Sequence, residues 1–421
     1  MLTSETSPSF KRFDLGAAVA ADRVERFFID ACRSPPLRLC EKPDLEVVMK
    51  IRGRDVLLPT TIVGAYPRPL FMHGTKVFEW GADAPEFPSY WMRDLFHDAV
   101  SLATKDQLDA GLDIVSDGQQ HYETETPYEF SELHHYVPSR LQGYRGFGDP
   151  IAGNDGDTPV FMPTVDAPVR WVRPIAKPIV EAVRAATDAP FKHNLGWGPV
   201  VLSDLSTDHH YGDQKALALD LARALNQEMK DLVDRGVDMI QIAEPLGFYD
   251  SEPWMVEAIN LAFEGVDAYR VVHVCYVLNE GQSAIGEPQA ERLLPLLRDL
   301  DCEQIHFQQA ARGFTELQHL KDWPADKDLG VGVIDVQRTP AEDPQQVAAW
   351  IRMALQVVPP ERLCISSDCG MGSFRSRVVA RKKLQAMVRG TQIARAEITG
   401  ESLDEEVAAA SSGEATWGKA K

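Results

Sequence analysis

The chain has no run of about 18 consecutive apolar residues, so a membrane-spanning helix is not expected, and its first residues (MLTSETSPSFKRFDLG) lack the apolar core of a secretory signal. The cytoplasm is the expected compartment. Basic residues are scarce beside acidic ones: 43 Lys and Arg against 63 Asp and Glu give a net charge of −20, and no Lys/Arg-rich stretch offsets it. A field of that sign repels nucleic acid and anionic lipid, so neither partner is expected. No glycine-rich phosphate fingerprint follows an early strand, which counts against an open dinucleotide-binding sheet. Cysteine is sparse as well. The six thiols (Cys32, Cys40, Cys275, Cys302, Cys364, Cys369) do not make a disulfide framework in a reducing compartment, so each is either a small buried hydrophobe or a thiolate with chemistry.

What is present is a globular balance, 44% hydrophobic and 25% charged over 421 residues. Short Val/Ile-rich runs recur at 58–63, 112–116, 192–202, 237–243, 270–276, 304–309, 330–336 and 363–367. Amphipathic helical spacing fills most of the intervals, at 92–110, 174–187, 213–235, 253–263, 288–300, 344–357 and 375–393, with only a short segment near 314–320 between the sixth and seventh runs. Eight strands alternating with helices predict an α/β chain folded as a (β/α)8 TIM barrel over residues 51–398. Residues 1–50 read as an N-terminal extension, helical around 17–32. Residues 119–168, rich in Tyr, His, Gly, Pro and Asp with little periodicity, read as a long insertion after strand two, of the kind that forms lids or binding loops. The small, polar stretch 399–421 reads as a frayed tail.

In such a barrel the chemistry sits at the C-terminal ends of the strands. His273 and Cys275 lie two apart on the fifth strand, so their side chains share a face. Cys369 ends the eighth strand. His-x-Cys plus a distant Cys is a three-donor zinc set that leaves one tetrahedral position open, as catalytic sites do; two core thiols and a core histidine at these places by chance are the rival reading. Cys302 and Cys364 sit in or before apolar runs and read as core thiols. His209 and His210, in a polar loop, read as solvated or lid-contacting, as do His121, His134 and His135 in the insertion. Asp117 is a carboxylate at a strand end, either loop-capping or catalytic.

Seven motifs in order, LPTTIVGAYPRP (58–69), DIVSDGQ (113–119), GWGPV (196–200), VDMIQIAEP (237–245), HVC (273–275), LGVGVIDV (329–336) and PERLCISSDCGMGS (360–373), resemble the catalytic barrel of cobalamin-independent methionine synthase and its single-barrel relatives over roughly residues 57–395. The resemblance implies zinc held by His273, Cys275 and Cys369, with a candidate fourth donor at Gln308 or Gln309. It implies a thiol held as thiolate that attacks an alkyl carbon, a methyl folate, methyl corrinoid or epoxide serving as donor. Asp335 and Asp117 become candidate catalytic residues; Ala65, Gln119, Ala243, Glu244 and Arg312 become candidate substrate contacts.

Departures from the family pattern bear on the acceptor. Gly64-Ala65 stands where methionine synthases carry Gly-Ser, Gly118-Gln119 where they carry Gly-Glu, and Ile242-Ala243-Glu244 where they carry Ile-Asp-Glu. Two carboxylates that face the homocysteine ammonium are thereby lost, and a buried ammonium without a partner costs several kcal/mol. A thiol without an α-amino group fits better. The family's glutamate donor near Gln308 or Gln309 is also neutral here, which favours a more electrophilic alkyl donor. Arg312 and Arg338 could bind a carboxylate or sulfonate tail, or serve as structural ion pairs. Beside methyl transfer stand two other readings, epoxide opening by a thiol such as coenzyme M and a barrel without catalysis that serves as a binding protein. The oligomeric state is not legible in the sequence.

Overall fold

A computed structural model describes residues 49–51, 54–75, 77–122, 135–152, 159–246, 252–275, 289–374 and 376–402. Its strands are β1 (Met49–Ile51), β2 (Arg54–Val56), β3 (Gln142–Ala152), β4 (Pro159–Arg170), β5 (Lys192–Trp197), β6 (Thr207–Asp208), β7 (Met239–Ala243), β8 (Tyr269–Val274), β9 (Gln304–Phe307), β10 (Asp328–Ile334) and β11 (Leu363–Ser367). Its helices are α1 (Tyr90–Ala110), α2 (Lys177–Ala186), α3 (Pro199–Asp204), α4 (Gln214–Asp234), α5 (Pro253–Phe263), α6 (Ala290–Arg298), α7 (Pro344–Ala354) and α8 (Arg377–Thr399).

The central sheet is parallel, in the order β11-β10-β9-β8-β7-β5. Its two edges are joined through the segments that the sequence marks as strands one and two. Ile365 of β11 donates its N–H to Pro59 O at 2.8 Å and accepts from Thr61 N at 2.9 Å. Ile114 N then donates to Thr60 O, while Val115 donates to Pro190 O and accepts from Lys192 N of β5. These bonds complete the eight-membered ring of a TIM barrel, though the first two members pair too briefly to count as regular strands. Every residue of β5, β7, β9 and β11 is buried, because side chains fill the barrel on one face and helices cover the other.

The helices start and stop where the local chemistry dictates. Ser89 accepts from Met92 N at the head of α1, and Gly111, at φ +89°, ends it; its buried positions Phe96, Ala99, Val100, Ala103 and Ala110 follow the helical spacing. Asp213 and Ser376 cap α4 and α8 in the same way. The third barrel strand is shorter than the apolar run suggests. It stops at Trp197 because Pro199, at N1, opens α3 instead of continuing the ladder.

The insertion also departs from the loop expected for 119–168. Its described part contains an antiparallel ribbon, β3 with β4, extended by the parallel pairing of β4 with β6. The register slips three times along the ribbon, where Gly and Pro interrupt both strands. That is why no clean alternation shows in the sequence. Met162, Val165 and Val169 are buried on its inner face, and Val169 N donates to the Tyr211 hydroxyl just ahead of α4. The predicted helix near 17–32, with Cys32 and Cys40, and residues 403–421 of the tail lie outside the described residues.

Candidate active site

β8 and β11 deliver the three predicted donors to one point. The ligand atoms of His273, Cys275 and Cys369 all lie within 4.8 Å of one another, the only such group of His, Cys, Asp or Glu among the described residues. Cys275 Sγ is 3.5 Å from Cys369 Sγ. His273 and Cys275 are buried and Cys369 is half-buried. The hydrogen bond from Cys275 holds the Cys369 thiol well below its ordinary value; burial opposes this and His273 assists it. His273 has one nitrogen engaged, Nδ1 at 2.7 Å from His306 Nδ1, while its buried Nε2 has no hydrogen-bond partner. A lone buried imidazole nitrogen beside two thiols, one of them held toward its thiolate, is the donor set of a thiophilic divalent metal, so the residues present fit zinc with an open position.

The surrounding loops are tied to this point by backbone bonds. Asp368, fully buried before Cys369, accepts from the amides of Gln309 and Ala310 at 2.8 Å and of Ala311 at 2.6 Å, which fixes the strand-six turn against the strand-eight end. Burial raises the Asp368 carboxyl well above its usual range against those three amides. Gln308 and Gln309 are both buried, and neither amide atom of the Gln309 side chain has a partner. Ala65 O accepts from Met371 N at 2.8 Å, and a Cβ on Gly370 would sit 2.9 Å from the Ala65 methyl, so strand one reaches the Cys369–Gly370 peptide. Gln119, at φ +47°, donates from Nε2 to Asn194 O at 3.2 Å; Asn194 in turn donates to Val63 O. Ala243 is the buried last residue of β7.

Other predicted residues have their polar groups engaged within the protein. Glu244 is fully buried, and its two oxygens accept from Val200 N at 3.0 Å and Val201 N at 3.1 Å, capping α3. Burial pushes its carboxyl up to about 8 against those two amides. It holds the strand-three turn in place of the substrate contact expected of it. Arg312 is likewise buried in an ion pair with Glu316, 2.6 Å from Nη2 and 2.9 Å from Nε, which is the structural alternative among its two readings. Arg338 is exposed, 3.5 Å from Asp335. Asp335 itself accepts from Gln337 N at 2.8 Å, while its main chain is held by Glu342 and Lys383.

Asp117 lies between two buried imidazoles, with His121 Nδ1 and His193 Nδ1 each 3.5 Å from one of its oxygens. Burial would raise its carboxyl, and the two imidazoles overcome this and hold it low; burial pushes His121 down to about 4 despite Asp117. His121 is therefore a buried member of a cluster; of its two readings, solvated or lid-contacting, the first does not hold, and it packs on Tyr136 of the insertion with ring centroids 4.3 Å apart. His135 is also buried, whereas His209 and His210 are exposed as expected; His134 lies outside the described residues. Cys302 and Cys364 are core thiols, pushed up by burial to about 12 and about 11. Sequence reasoning passed over His193 and His306. The available signal for His306 was its position two residues before Gln308 on a strand whose alternate residues face the barrel interior.

Comparisons with known proteins bear on the family. Residues 58–393 match the family described as cobalamin-independent synthase, catalytic domain. A methionine synthase of Saccharolobus solfataricus is 32% identical over 356 residues, covering 83% of this chain and 98% of that one, and a methionine synthase of Sulfolobus acidocaldarius is 31% identical over 348 residues, covering 81% and 94%. Among solved structures, a B12-independent methionine synthase from Shewanella sp. W3-18-1, in complex with selenomethionine, superposes with a TM-score of 0.71 at 28% identity, covering 82% of this chain and all of that one. No helix among the described residues is long and apolar enough to cross a membrane. The chain belongs to the cobalamin-independent synthase catalytic-domain family, enzymes of methyl or alkyl transfer.

Proposed function

We propose that this chain is a zinc-dependent S-alkyltransferase that methylates a small thiol lacking an α-ammonium group. The observation that carries the reading is the convergence of His273, Cys275 and Cys369 within 4.8 Å at the mouth of the barrel. These three residues would hold a zinc ion, which would supply the Lewis acidity that keeps an acceptor sulfur ionised near neutral pH. The rest falls to the protein. Ala65, Gln119 and Ala243 line the acceptor side with two methyl groups and a neutral amide, and Gln119 is held in place by Asn194. A homocysteine ammonium would find no carboxylate there, and leaving it desolvated costs several kcal/mol. Asp335 is the carboxylate assigned to proton handling. Its backbone N–H and carbonyl are held by Glu342 and Lys383. Asp117, between its two imidazoles, is assigned to shaping the strand-two turn that carries Gln119.

A second reading has one observation in its favour. The strand-six turn, where the family pattern has an acid near Gln308 or Gln309, offers neutral amides, and both amide atoms of Gln309 are unpartnered. A site of less negative charge binds a thiolate tightly but leaves it a weaker nucleophile, which suits a strained donor. Epoxide opening then follows: the sulfur forms a bond to a ring carbon, the C–O bond breaks, and the alkoxide takes up a proton.

The test is a panel of thiols offered to the zinc-loaded protein with methyl folate, a methyl corrinoid or epoxypropane, following thiol consumption and proton balance. Thiols bearing only a carboxylate or sulfonate, such as 3-mercaptopropionate and 2-mercaptoethanesulfonate, are expected to react at least about tenfold faster than homocysteine, the ratio that about 1.4 kcal/mol supplies. Preference for homocysteine would overturn the acceptor assignment. Turnover with epoxypropane alone would select the second reading.

A further inference from the structure

The geometry points to His306 as a positioning residue for the metal site, one that fixes the ring orientation of His273 through the Nδ1···Nδ1 hydrogen bond and so directs Nε2 of His273 toward the two thiols. This rests on the proposed zinc site at His273, Cys275 and Cys369.

The placement follows from strand register. β8 and β9 pair in parallel with His273 directly opposite His306, so the two side chains rise from the same face of adjacent strands. Their ring centroids are 4.8 Å apart, with the planes inclined at 45° and the Nδ1 atoms 2.7 Å apart. One nitrogen donates and the other accepts, so the contact selects a tautomer for each ring as well as an orientation. Both residues are 1% exposed, so no solvent competes for the bond.

A second feature shows that the volume for this imidazole is reserved. On the other side of β9, His306 is paired with Gly330 of β10. A Cβ on Gly330 would stand 2.9 Å from His306 Cδ2 and 3.0 Å from His306 Cβ, closer than side chains pack. Gly330 does not have the positive φ that would itself demand glycine, so the neighbouring imidazole and Gln304 are what the missing side chain accommodates. His306 is thus wedged between the Gly330 backbone and the His273 ring. Metal-ligating histidines as a rule give their second nitrogen to a fixed partner, and loss of that partner weakens metal binding about 10–100-fold. Here a second imidazole fills that place.

The test measures zinc dissociation constants at fixed pH by competition with a chromophoric chelator, with the metal-free thermal midpoint recorded for every variant. His306→Phe fills the space without the hydrogen bond and is expected to weaken zinc binding about 10–100-fold. His306→Asn, whose amide can place a polar atom near the Nδ1 position, is expected to recover part of that loss. Gly330→Ala keeps the imidazole but displaces it, and is expected to fall between wild type and His306→Phe. It also serves as the probe if His306→Phe fails to fold. Equal zinc affinity in wild type and the folded variants would overturn the inference, as would losses that merely track the metal-free midpoint. A wild-type protein that binds no zinc would overturn the site itself, an outcome distinct from both.

Discussion

On one side of the barrel mouth, β8, β9 and β11 keep all three candidate donors, back one of them with His306, and anchor the adjoining turn through the three amides on Asp368. On the other side, strands one, two and four end in Ala65, Gln119 and Ala243, where an acceptor ammonium would find no carboxylate. The donor half has the geometry of a metal centre held under constraint; the other half, under the proposed function, is a pocket re-cut for a different thiol. A barrel that had lost its chemistry would be expected to drift in both halves, because nothing would hold the buried thiols and imidazole together against the cost of leaving them unpaired. On the proposed function, the reaction class and the substrate would be set by different strands of the same ring.

The comparison breaks most directly at the donors. Cys369→Ser is expected to abolish stable zinc binding, from about one ion per chain to less than about a tenth after dialysis against a chelator, and to lower turnover by at least about 100-fold. Metal analysis of the dialysed protein checks it, and full retention of zinc would remove Cys369 from the site. The acceptor half should respond in kind and not in amount. Gln119→Glu combined with Ala243→Asp is expected to shift the ratio of kcat/KM for homocysteine over 3-mercaptopropionate upward by about tenfold per carboxylate, about 1.4 kcal/mol each, with zinc content unchanged. An unchanged ratio would show that the acceptor is read elsewhere.

A separate effect, on stability and not on the reaction, concerns the barrel floor beneath both halves. Lys192 is 2% exposed and its Nζ meets Gln241 Oε1 at 3.1 Å; burial pushes its amine down from 10.5 to about 7. Between those values the unfolded chain binds a proton that the folded chain does not, so this residue makes stability rise with pH from about 7 to about 10.5, at no more than about 1.4 kcal/mol per pH unit. Lys192→Met is expected to flatten that slope, as read from urea midpoints across the window. A slope that persists would mean the amine stays charged in the folded protein.

Much of the ring was legible because its signals are local. α5 spans the predicted residues, since Pro253 at N1 and an apolar stripe mark it without help from other elements. The short 3₁₀ turn at Leu317–His319 likewise stands where only a brief segment fitted. His273 and Cys275 could be paired from their alternation on one strand, and Cys369 from its place at a strand end. What escaped depends on distance. His306 meets His273 only through the register of two strands, and the cluster of Asp117, His121 and His193 joins two strands and the insertion. The part Glu244 plays as a cap is invisible without knowing that α3 begins where Pro199 stops the strand. The ion pair of Arg312, by contrast, had a readable sign in Glu316 four residues on.

The seam that closes the ring also orders events in time. Pro59 accepts a weak bond from the Cys364 thiol across 305 residues of chain, and the Thr61 and Ile365 backbones meet beside it. While the chain is being made, strands one to seven can form only an open sheet with exposed edges, because the partner of strand one is translated last. Cys369 follows that last strand, two residues past its end at Ser367. The third donor therefore joins the other two only when the ring closes.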